Sequence, residues 1–231
     1  MDKPIEYEQT DPRWRDIPYS GTGNPKETIG TDGCGPTCAA MVVATLRDTT
    51  PKVTPDKAAW YFKENGGLSP HDGTYWFIFG KYFAYWKIPC TQTNSDAMAK
   101  EALQQGYMVL TAMGKGHWTS CGHFILAYGL EGSKVKIHDP NSEASYRENA
   151  DLSTYLNEAA QYWIIKEAWK TVNIVDIPIW LVDGKSKVFV KGSVENGTTY
   201  VKLRDVEKLF PVSIGWDEGQ RIATLSLNYK E

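Results

Sequence analysis

The feature that most constrains the fold is a cysteine at the start of an apolar, helix-like run. Cys34 lies between Gly33 and Gly35, and residues 36–47 have the composition of a buried helix. The first N–H groups of a helix have no partner within it, and the positive end of the helix dipole favours thiolate over thiol. Glycines on both sides leave room for a substrate carbonyl group. The sequence therefore predicts that Cys34 is a nucleophile that begins a helix.

A histidine and a carboxylate for such a nucleophile lie at the ends of two strand-like runs. His123 begins the apolar run of residues 123–127, and Asp139 follows the run that begins at Lys134. The short turn at residues 131–133 predicts that the two runs pair as a hairpin, which brings the ends that hold His123 and Asp139 side by side. We interpret His123 as the base and Asp139 as the residue that orients its ring.

Short motifs extend this pattern along the first part of the chain. They occupy residues 7–14, 28–30, 33–37, 73–76, 122–124 and 139–140. Together with the order cysteine, histidine, aspartate, they resemble those of papain-like cysteine peptidases, in particular the double-glycine-peptidase-like (bacteriocin-processing-like) branch. The resemblance covers residue 5 to about residue 165. It implies an α+β fold in which the nucleophile helix packs on an antiparallel sheet.

The resemblance also implies roles for particular residues. In the double-glycine-peptidase-like branch an upstream glutamine donates its side-chain amide to the oxyanion hole, and Gln9 occupies the matching position. The sequence departs from the branch at Cys121, where glycine is more common before the Gly-His pair. This departure places a second thiol near the predicted base. The predicted catalytic residues are thus Cys34, His123, Asp139 and Gln9.

A metal site is an alternative for the same residues. Cys34 and Cys38 are four positions apart and share one helix face, and His117, Cys121 and His123 could complete a zinc site with them. However, the usual zinc-binding motif is Cys-x2-Cys, and a thiol at a helix start between glycines is typical of a nucleophile. We therefore predict no metal and no cofactor. We expect Cys38 and Cys121 to be small buried residues behind the site.

The first part of the chain alternates helix-like and strand-like segments. Besides the hairpin, helices are predicted at residues 36–47, 54–64, 95–105 and 151–161, and strands at residues 107–112 and 162–165. The glycine-rich connection of residues 113–120 precedes His123 and is expected to be a mobile wall of the cleft. We predict that residues 1–170 form a papain-like cysteine peptidase catalytic domain.

The last part of the chain, residues 171–231, has a different, turn-rich β pattern. Strands are predicted at residues 176–182, 187–190, 199–201, 212–216 and 221–227, with turns at 183–184 and 196–197 and a short helix at 203–210. From about residue 172, the pattern resembles the copper amine oxidase N-terminal-like domain. The region contains no His and no Cys that could bind copper. The resemblance therefore implies a small β-rich α+β accessory module.

Charge and composition exclude some classes of partner. The net charge is −3 and the pI is near 5.9, which gives no basis for long-range attraction to nucleic acid or to an anionic membrane. No run of about 18 apolar residues and no signal-like N-terminus occur, so we expect no membrane insertion. Four cysteines, one of them a free nucleophile, do not make a disulfide framework. We expect a monomer that is synthesised in the cytoplasm and acts at the cell wall or outside the cell.

These features together predict a cysteine-dependent amide-bond hydrolase. Nine Trp and 13 Tyr residues are many for this length, and aromatic faces line clefts for sugars and extended peptides. By analogy of fold, a catalytic domain with a β-rich module suits a bacterial or phage peptidoglycan amidase or endopeptidase, a lysin that acts through a thioester acyl-enzyme. One alternative is a bacterial cysteine protease that acts on protein or peptide. Another is a module that binds peptide or glycan without turnover.

Overall fold

The protein divides into two compact units, Met1–Lys170 and Thr171–Glu231. The computed structural model describes residues 3–70, 73–141 and 145–169, together with the backbone of five strands between residues 174 and 227. Each unit has its own sheets and is described by itself.

The first unit is an α+β domain with helices and strands interleaved along the chain. Its helices are α1 (Ile29–Asp32), α2 (Cys34–Leu46), α3 (Pro55–Glu64), α4 (Phe77–Tyr85), α5 (Asp96–Gln104), α6 (Ser145–Glu148) and α7 (Leu152–Glu158). Its strands are β1 (Cys90–Thr93), β2 (Val109–Met113), β3 (His123–Glu131), β4 (Lys134–His138), β5 (Asn149–Asp151) and β6 (Ala159–Ile165).

The six strands form one antiparallel sheet in the order β1-β6-β2-β3-β4-β5. Strands β3 and β4 pair directly, with Leu126 opposite His138, so the predicted hairpin is confirmed. Because β4 is shorter than β3, the end of β4 stops beside the middle of β3, and the chain beyond it runs on towards His123. This register brings the residue after β4 to within two positions of the first residue of β3.

The sheet is covered by helices on both faces. Successive side chains of a strand point to opposite faces, so each central strand contributes to two apolar clusters. One cluster joins α2, α3 and α4 to a sheet face that includes Leu110, Phe124, Leu126 and Trp163. The other joins α5 and α7 to the opposite face, which includes Val109, Ile125, Ala127 and Tyr162. This double burial explains why the central strands have few polar positions.

Helix α2 is the buried centre of the first cluster. Its residues 38–44 are all fully buried, since α3, α4 and the sheet surround it. At its start, the Thr37 hydroxyl donates to the Gly33 carbonyl oxygen at 2.7 Å. The helix ends where Arg47 adopts an extended conformation, and the Arg47 guanidinium donates to the Glu167 carboxylate at 2.6 Å. A rigid, buried helix therefore presents Cys34 at its N-terminus.

Most predicted elements of the first unit are present, but the short elements α1, α6 and β5 were not predicted, and three further differences occur. The predicted helix of residues 151–161 is too long, because α7 ends at Glu158 and β6 begins at Ala159 and pairs with β2. The sequence analysis also missed α4, whose aromatic residues have low helix propensity and whose helix is stabilised by burial of Phe79, Tyr82 and Phe83. It missed β1, a short strand at the edge of the sheet.

The second unit contains the predicted strands. Strands β7 (Ile174–Trp180), β8 (Lys187–Glu195) and β9 (Thr198–Val201) form a three-stranded antiparallel meander. Strands β10 (Val212–Asp217) and β11 (Ile222–Leu227) pair as a hairpin. The predicted helix of residues 203–210 and the predicted turns at 183–184 and 196–197 lie outside the described residues. Within the described part of the chain, no helix has both the length and the hydrophobicity needed to cross a bilayer.

Candidate active site

Cys34 is the first residue of α2 and is partly exposed. A Cβ atom on Gly33 would lie 2.4 Å from the carbonyl oxygen of Ile29, and one on Gly35 would lie 2.7 Å from Oγ1 of Thr74. Both distances are shorter than real Cβ contacts, so close packing requires glycine on each side of the cysteine. The N–H groups in this first helical turn have no partner within the helix and can bind an anion.

His123 and Asp139 meet at the end of the β3–β4 hairpin. His123 is the first residue of β3, Asp139 directly follows β4, and Nε2 of the imidazole lies 2.7 Å from Oδ1 of Asp139. Both side chains are buried. Since Nε2 is engaged by the carboxylate, Nδ1 is the nitrogen left for the thiol. The structure thus brings together the three residues that the sequence analysis paired.

The electrostatic setting favours a charged His123. Burial by itself lowers the pKa of His123, but hydrogen bonds with Asp139 and with the Cys34 thiol outweigh burial and raise that pKa to about 9. Burial likewise acts to raise the pKa of Asp139, yet the hydrogen bond with His123 holds it below its ordinary value. The arrangement therefore stabilises an imidazolium that lies between a carboxylate and a thiol.

Asp139 has two further partners that hold it in place. The backbone N–H of Asn141 donates to Oδ1 at 3.0 Å, and Nε of Arg147 donates to Oδ2 at 2.5 Å. The sequence analysis missed Arg147. An arginine beside a glutamate in a polar stretch is typical of a solvated helix face, so no local signal distinguished it. Its partnership with Asp139 depends on the fold.

Gln9 is buried at the cleft and is held at two points. Its backbone N–H donates to the carbonyl oxygen of Pro140 at 2.7 Å, and its Nε2 donates to the carbonyl oxygen of Gly30 at 2.9 Å. One N–H of the side-chain amide remains after the bond to Gly30. Gln9 and Cys34 both line the cleft. The role of Gln9 as an oxyanion donor stays a prediction.

Gln9, Cys34 and His123 line a cleft of about 510 Å³. Its wall includes Trp118 and Thr119 from the glycine-rich connection, as the sequence analysis predicts. The connection is held by α7, because the Glu158 carboxylate accepts a hydrogen bond from the backbone N–H of His117. A Cβ atom on Gly116 would overlap that carboxylate, so any larger residue there would displace the Glu158 side chain. The cleft has a defined shape on the side of the base.

A sequence model described as the Peptidase_C39 like family matches residues 9–168. The chain belongs to this family. The C39-like match places the chain among cysteine peptidases and covers the whole cleft. No curated protein sequence matches the chain.

We call the first unit, Met1–Lys170, the C39-like unit because it contains the family match. Two solved structures are similar to the chain. The peptidase domain of Streptococcus ComA, a bifunctional ABC transporter involved in a quorum-sensing pathway, has 16% identity and a TM-score of 0.45, and the match covers 59% of this chain and 93% of that one. A putative C39-like peptidase from Bacillus anthracis has 13% identity and a TM-score of 0.43, covering 60% of this chain and 90% of that one.

The other cysteines of the C39-like unit differ from one another. Cys38 is buried, its thiol donates to the carbonyl oxygen of Phe124 at 3.4 Å, and burial raises its pKa. The expectation that Cys121 is buried is wrong. Cys121 is exposed at the cleft, because its backbone N–H bonds to the Thr119 hydroxyl in a turn before β3.

Two other histidines, His138 and His117, are among the described residues of the C39-like unit. His138 is buried, with Nε2 3.2 Å from the carbonyl oxygen of Pro4 and Nδ1 2.9 Å from the Glu6 carboxylate. His117 lies in the exposed connection before β3. Among the described residues, no group of three or more His, Cys, Asp or Glu side chains is arranged to hold a metal ion. Cys34, Cys38, His117, Cys121 and His123 thus do not form one coordination site.

Proposed function

We propose that the first unit hydrolyses amide bonds with Cys34 as nucleophile, His123 as general acid and base, and Asp139 as the residue that orients His123. The observation that carries this proposal is the position of His123, which lies between the Asp139 carboxylate and the Cys34 thiol at the wall of a cleft. A buried histidine that bonds both to a carboxylate and to a thiol has the geometry needed to activate the cysteine as a nucleophile.

In the proposed reaction, the Cys34 thiolate attacks the substrate carbonyl carbon and forms a tetrahedral intermediate. The negative charge on its oxygen is bound by the backbone N–H of Cys34 and by the side-chain amide of Gln9. The His123 imidazolium then gives its proton to the leaving amine, which leaves a thioester on Cys34. Water, deprotonated by His123, attacks the thioester, which releases the carboxylic acid and restores the Cys34 thiolate and the His123 imidazolium.

The nucleophile is tested by its reactivity and by its removal. Iodoacetamide at pH 6 should label Cys34 faster than Cys121, an exposed thiol in the same cleft, as measured by mass spectrometry of the labelled peptides. Cys34→Ala should abolish hydrolysis with an unchanged circular dichroism spectrum, and Cys121→Ala should retain it. Faster labelling of Cys121, or activity in Cys34→Ala, contradicts the assignment.

We further propose that the substrate is peptidoglycan, cut as an amidase or endopeptidase of the lysin type. Support comes from three consecutive exposed aromatic residues beside the cleft: Tyr75, Trp76 and Phe77 are 41%, 42% and 49% exposed, and Trp76 also lines the cleft. Aromatic rings exposed at a cleft can stack on sugar rings and on extended peptide stems. On this proposal the enzyme is a monomer that acts at the cell wall or outside the cell.

The substrate is tested by comparing peptidoglycan with casein and identifying the new amino termini by mass spectrometry. Peptidoglycan cleavage should weaken in Trp76→Ser, because Trp76 lines the cleft. Trp60→Ser and Tyr85→Ser are matched controls, since both residues are 64% exposed and neither lines the cleft. Cleavage of casein alone would favour a protease that acts on protein or peptide, which membership of a peptidase family also supports. Binding of peptidoglycan without any new termini would favour a non-catalytic module.

We propose that the second unit is an accessory module of the copper amine oxidase N-terminal-like type. Its three-stranded meander and its separate hairpin agree with the strand pattern that carries the resemblance. In this proposal the unit binds the insoluble substrate and takes no part in the chemistry. Its removal should therefore lower binding to cell walls and leave hydrolysis of a small substrate intact.

A further inference from the structure

We propose that Arg147 is a positioning residue for the reaction, one that holds Asp139 against His123 and ties the pair to the wall of the cleft. The inference rests on the proposed roles of Cys34, His123 and Asp139. It goes beyond them because it adds a fourth charged group from a different element, α6.

Arg147 bonds to the Asp139 carboxylate and to the wall of the cleft at the same time. Arg147 donates from Nε to Oδ2 of Asp139 at 2.5 Å and from Nη2 to the carbonyl oxygen of Trp118 at 2.6 Å. A second hydrogen bond joins the same two residues, since the indole Nε1 of Trp118 donates to the carbonyl oxygen of Arg147 at 3.1 Å. Since His123 and Asn141 bond to Oδ1, the carboxylate cannot rotate without breaking bonds on both oxygens. One guanidinium thus fixes both the carboxylate and the cleft wall.

Arg147 also balances the net charge of the buried site. The Asp139 side chain is fully buried and that of Arg147 is 15% exposed. When the thiolate–imidazolium pair of Cys34 and His123 forms, a site with Asp139 alone has a net charge of −1. Arg147 makes the set neutral, which lowers the cost of keeping three other charges away from water. A guanidinium suits this place better than an ammonium, because its fixed planar donors reach two acceptors at once.

The test compares Arg147→Gln and Arg147→Lys with Arg47→Gln in the full chain. Arg47 is a matched control because its side chain is 24% exposed, bonds to the Glu167 carboxylate and lies at the far end of α2. The first measurement is the rate of Cys34 alkylation by iodoacetamide as a function of pH, which needs no substrate. The groups that set this profile are Cys34, His123, Asp139 and Arg147, with Asp32 of α1 and the Cys121 thiol also lining the cleft.

Loss of a nearby positive charge raises the pKa of each neighbouring group. In Arg147→Gln, the pH at which alkylation reaches half its maximum should therefore rise by on the order of half a pH unit or more. Arg147→Lys keeps the charge and should leave this pH unchanged. Both variants should lower kcat/KM by about tenfold, because neither side chain can serve Asp139 and Trp118 together. Arg47→Gln should reduce stability without altering either measurement.

An unchanged alkylation profile in folded Arg147→Gln, or an equal shift in Arg47→Gln, would overturn the inference. If Arg147→Gln does not fold, Arg147→Lys decides the question, since wild-type turnover in that variant contradicts the need for two bonded acceptors. A wild-type protein that hydrolyses no amide bond would instead refute the proposed function. The alkylation profile separates that failure from a failure of the role of Arg147.

Discussion

The backbone N–H of Gln9 donates to the carbonyl oxygen of Pro140 across 2.7 Å, which joins the N-terminal segment to the residue that follows Asp139. The same segment is tied to the sheet a second time, where Nε2 of His138 bonds to the carbonyl oxygen of Pro4 at 3.2 Å. The candidate oxyanion donor and the candidate orienting carboxylate are thus held by one short stretch of chain.

Replacing Gln9 by Ala should lower kcat by on the order of 10²-fold, because the developing oxyanion loses one of its donors. The rate of Cys34 alkylation should stay within about twofold of wild type, since alkylation forms no oxyanion. Gln92→Ala, at an exposed position of β1, is the control. Equal losses of turnover and alkylation would show that Gln9 maintains the site rather than stabilising the intermediate.

The pH dependence of turnover should follow His123. Because the pKa of His123 is raised to about 9, the imidazolium persists to that pH, and activity should fall as pH rises through it. Asp139→Asn removes a charge that favours the imidazolium, so this alkaline limit should move to lower pH. His123→Ala should cost on the order of 10³-fold in turnover and Asp139→Asn less. Asp151→Asn, an exposed carboxylate in β5, should leave the profile unchanged; a shift there would argue against the assignment.

The contact between Glu6 and His138 should make stability depend on acidic pH. It lowers the pKa of Glu6 from 4.5 to about 2, although partial burial opposes the change. A depressed carboxyl pKa stabilises the folded state above the unfolded value, and this stabilisation is lost as pH falls from about 4.5 to about 2. Glu6→Gln should therefore lower the melting temperature by roughly 2–4 °C at pH 7 and by less near pH 2. Lys3→Gln, at an exposed partner of Glu6, should have little effect. A difference that is constant with pH would contradict a stabilising contact between the Glu6 carboxylate and His138.

Adding a methyl group at Gly35 should destabilise the protein. Its Cβ would meet Oγ1 of Thr74 at 2.7 Å, and Thr74 shares a hydrogen bond of 2.6 Å with the Tyr19 hydroxyl. Gly35→Ala should reduce the free energy of unfolding by roughly 1–3 kcal/mol, as measured by urea denaturation. Gly80 in α4 is the matched control, because a Cβ there meets nothing within 4 Å. Gly80→Ala should be stabilising by roughly 0.5–1 kcal/mol. If Gly35→Ala were more stable than Gly80→Ala, neighbouring atoms would have moved to relieve the contact between the new Cβ and Thr74.

A chain that ends at Lys170 should fold and hydrolyse a small soluble substrate, because the first unit has its own sheet and its own apolar clusters. It should lose binding to intact cell walls in a pelleting assay. A chain that ends at Lys166 is the control and should be less stable, since it lacks Glu167, the partner of Arg47, and Trp169, which packs on Tyr128. An insoluble 170-residue chain would show that the last residues complete the first unit.

Local sequence patterns predicted the elements that carry the site. The glycines around Cys34 and the apolar run behind it indicate a helix start, because both are properties of neighbouring residues. The β3–β4 hairpin follows from two apolar runs and a short turn, which fix both the pairing and the approach of His123 to Asp139. The strands of the second unit were predicted for the same reason, since turn residues act over two or three positions.

Only the tertiary structure decided the contacts between segments that are distant in sequence. Local sequence patterns do not predict these contacts. Arg147 reaches Asp139 and Trp118 because the chain after β4 turns back through α6, and nothing in its neighbouring residues indicates this. Helix α4 is stabilised by burial that its aromatic sequence does not predict. Cys121 is exposed because of a turn around Thr119. The sequence by itself determined the elements that carry the site, whereas packing across the sheet decided which side chains meet, since that depends on the whole core.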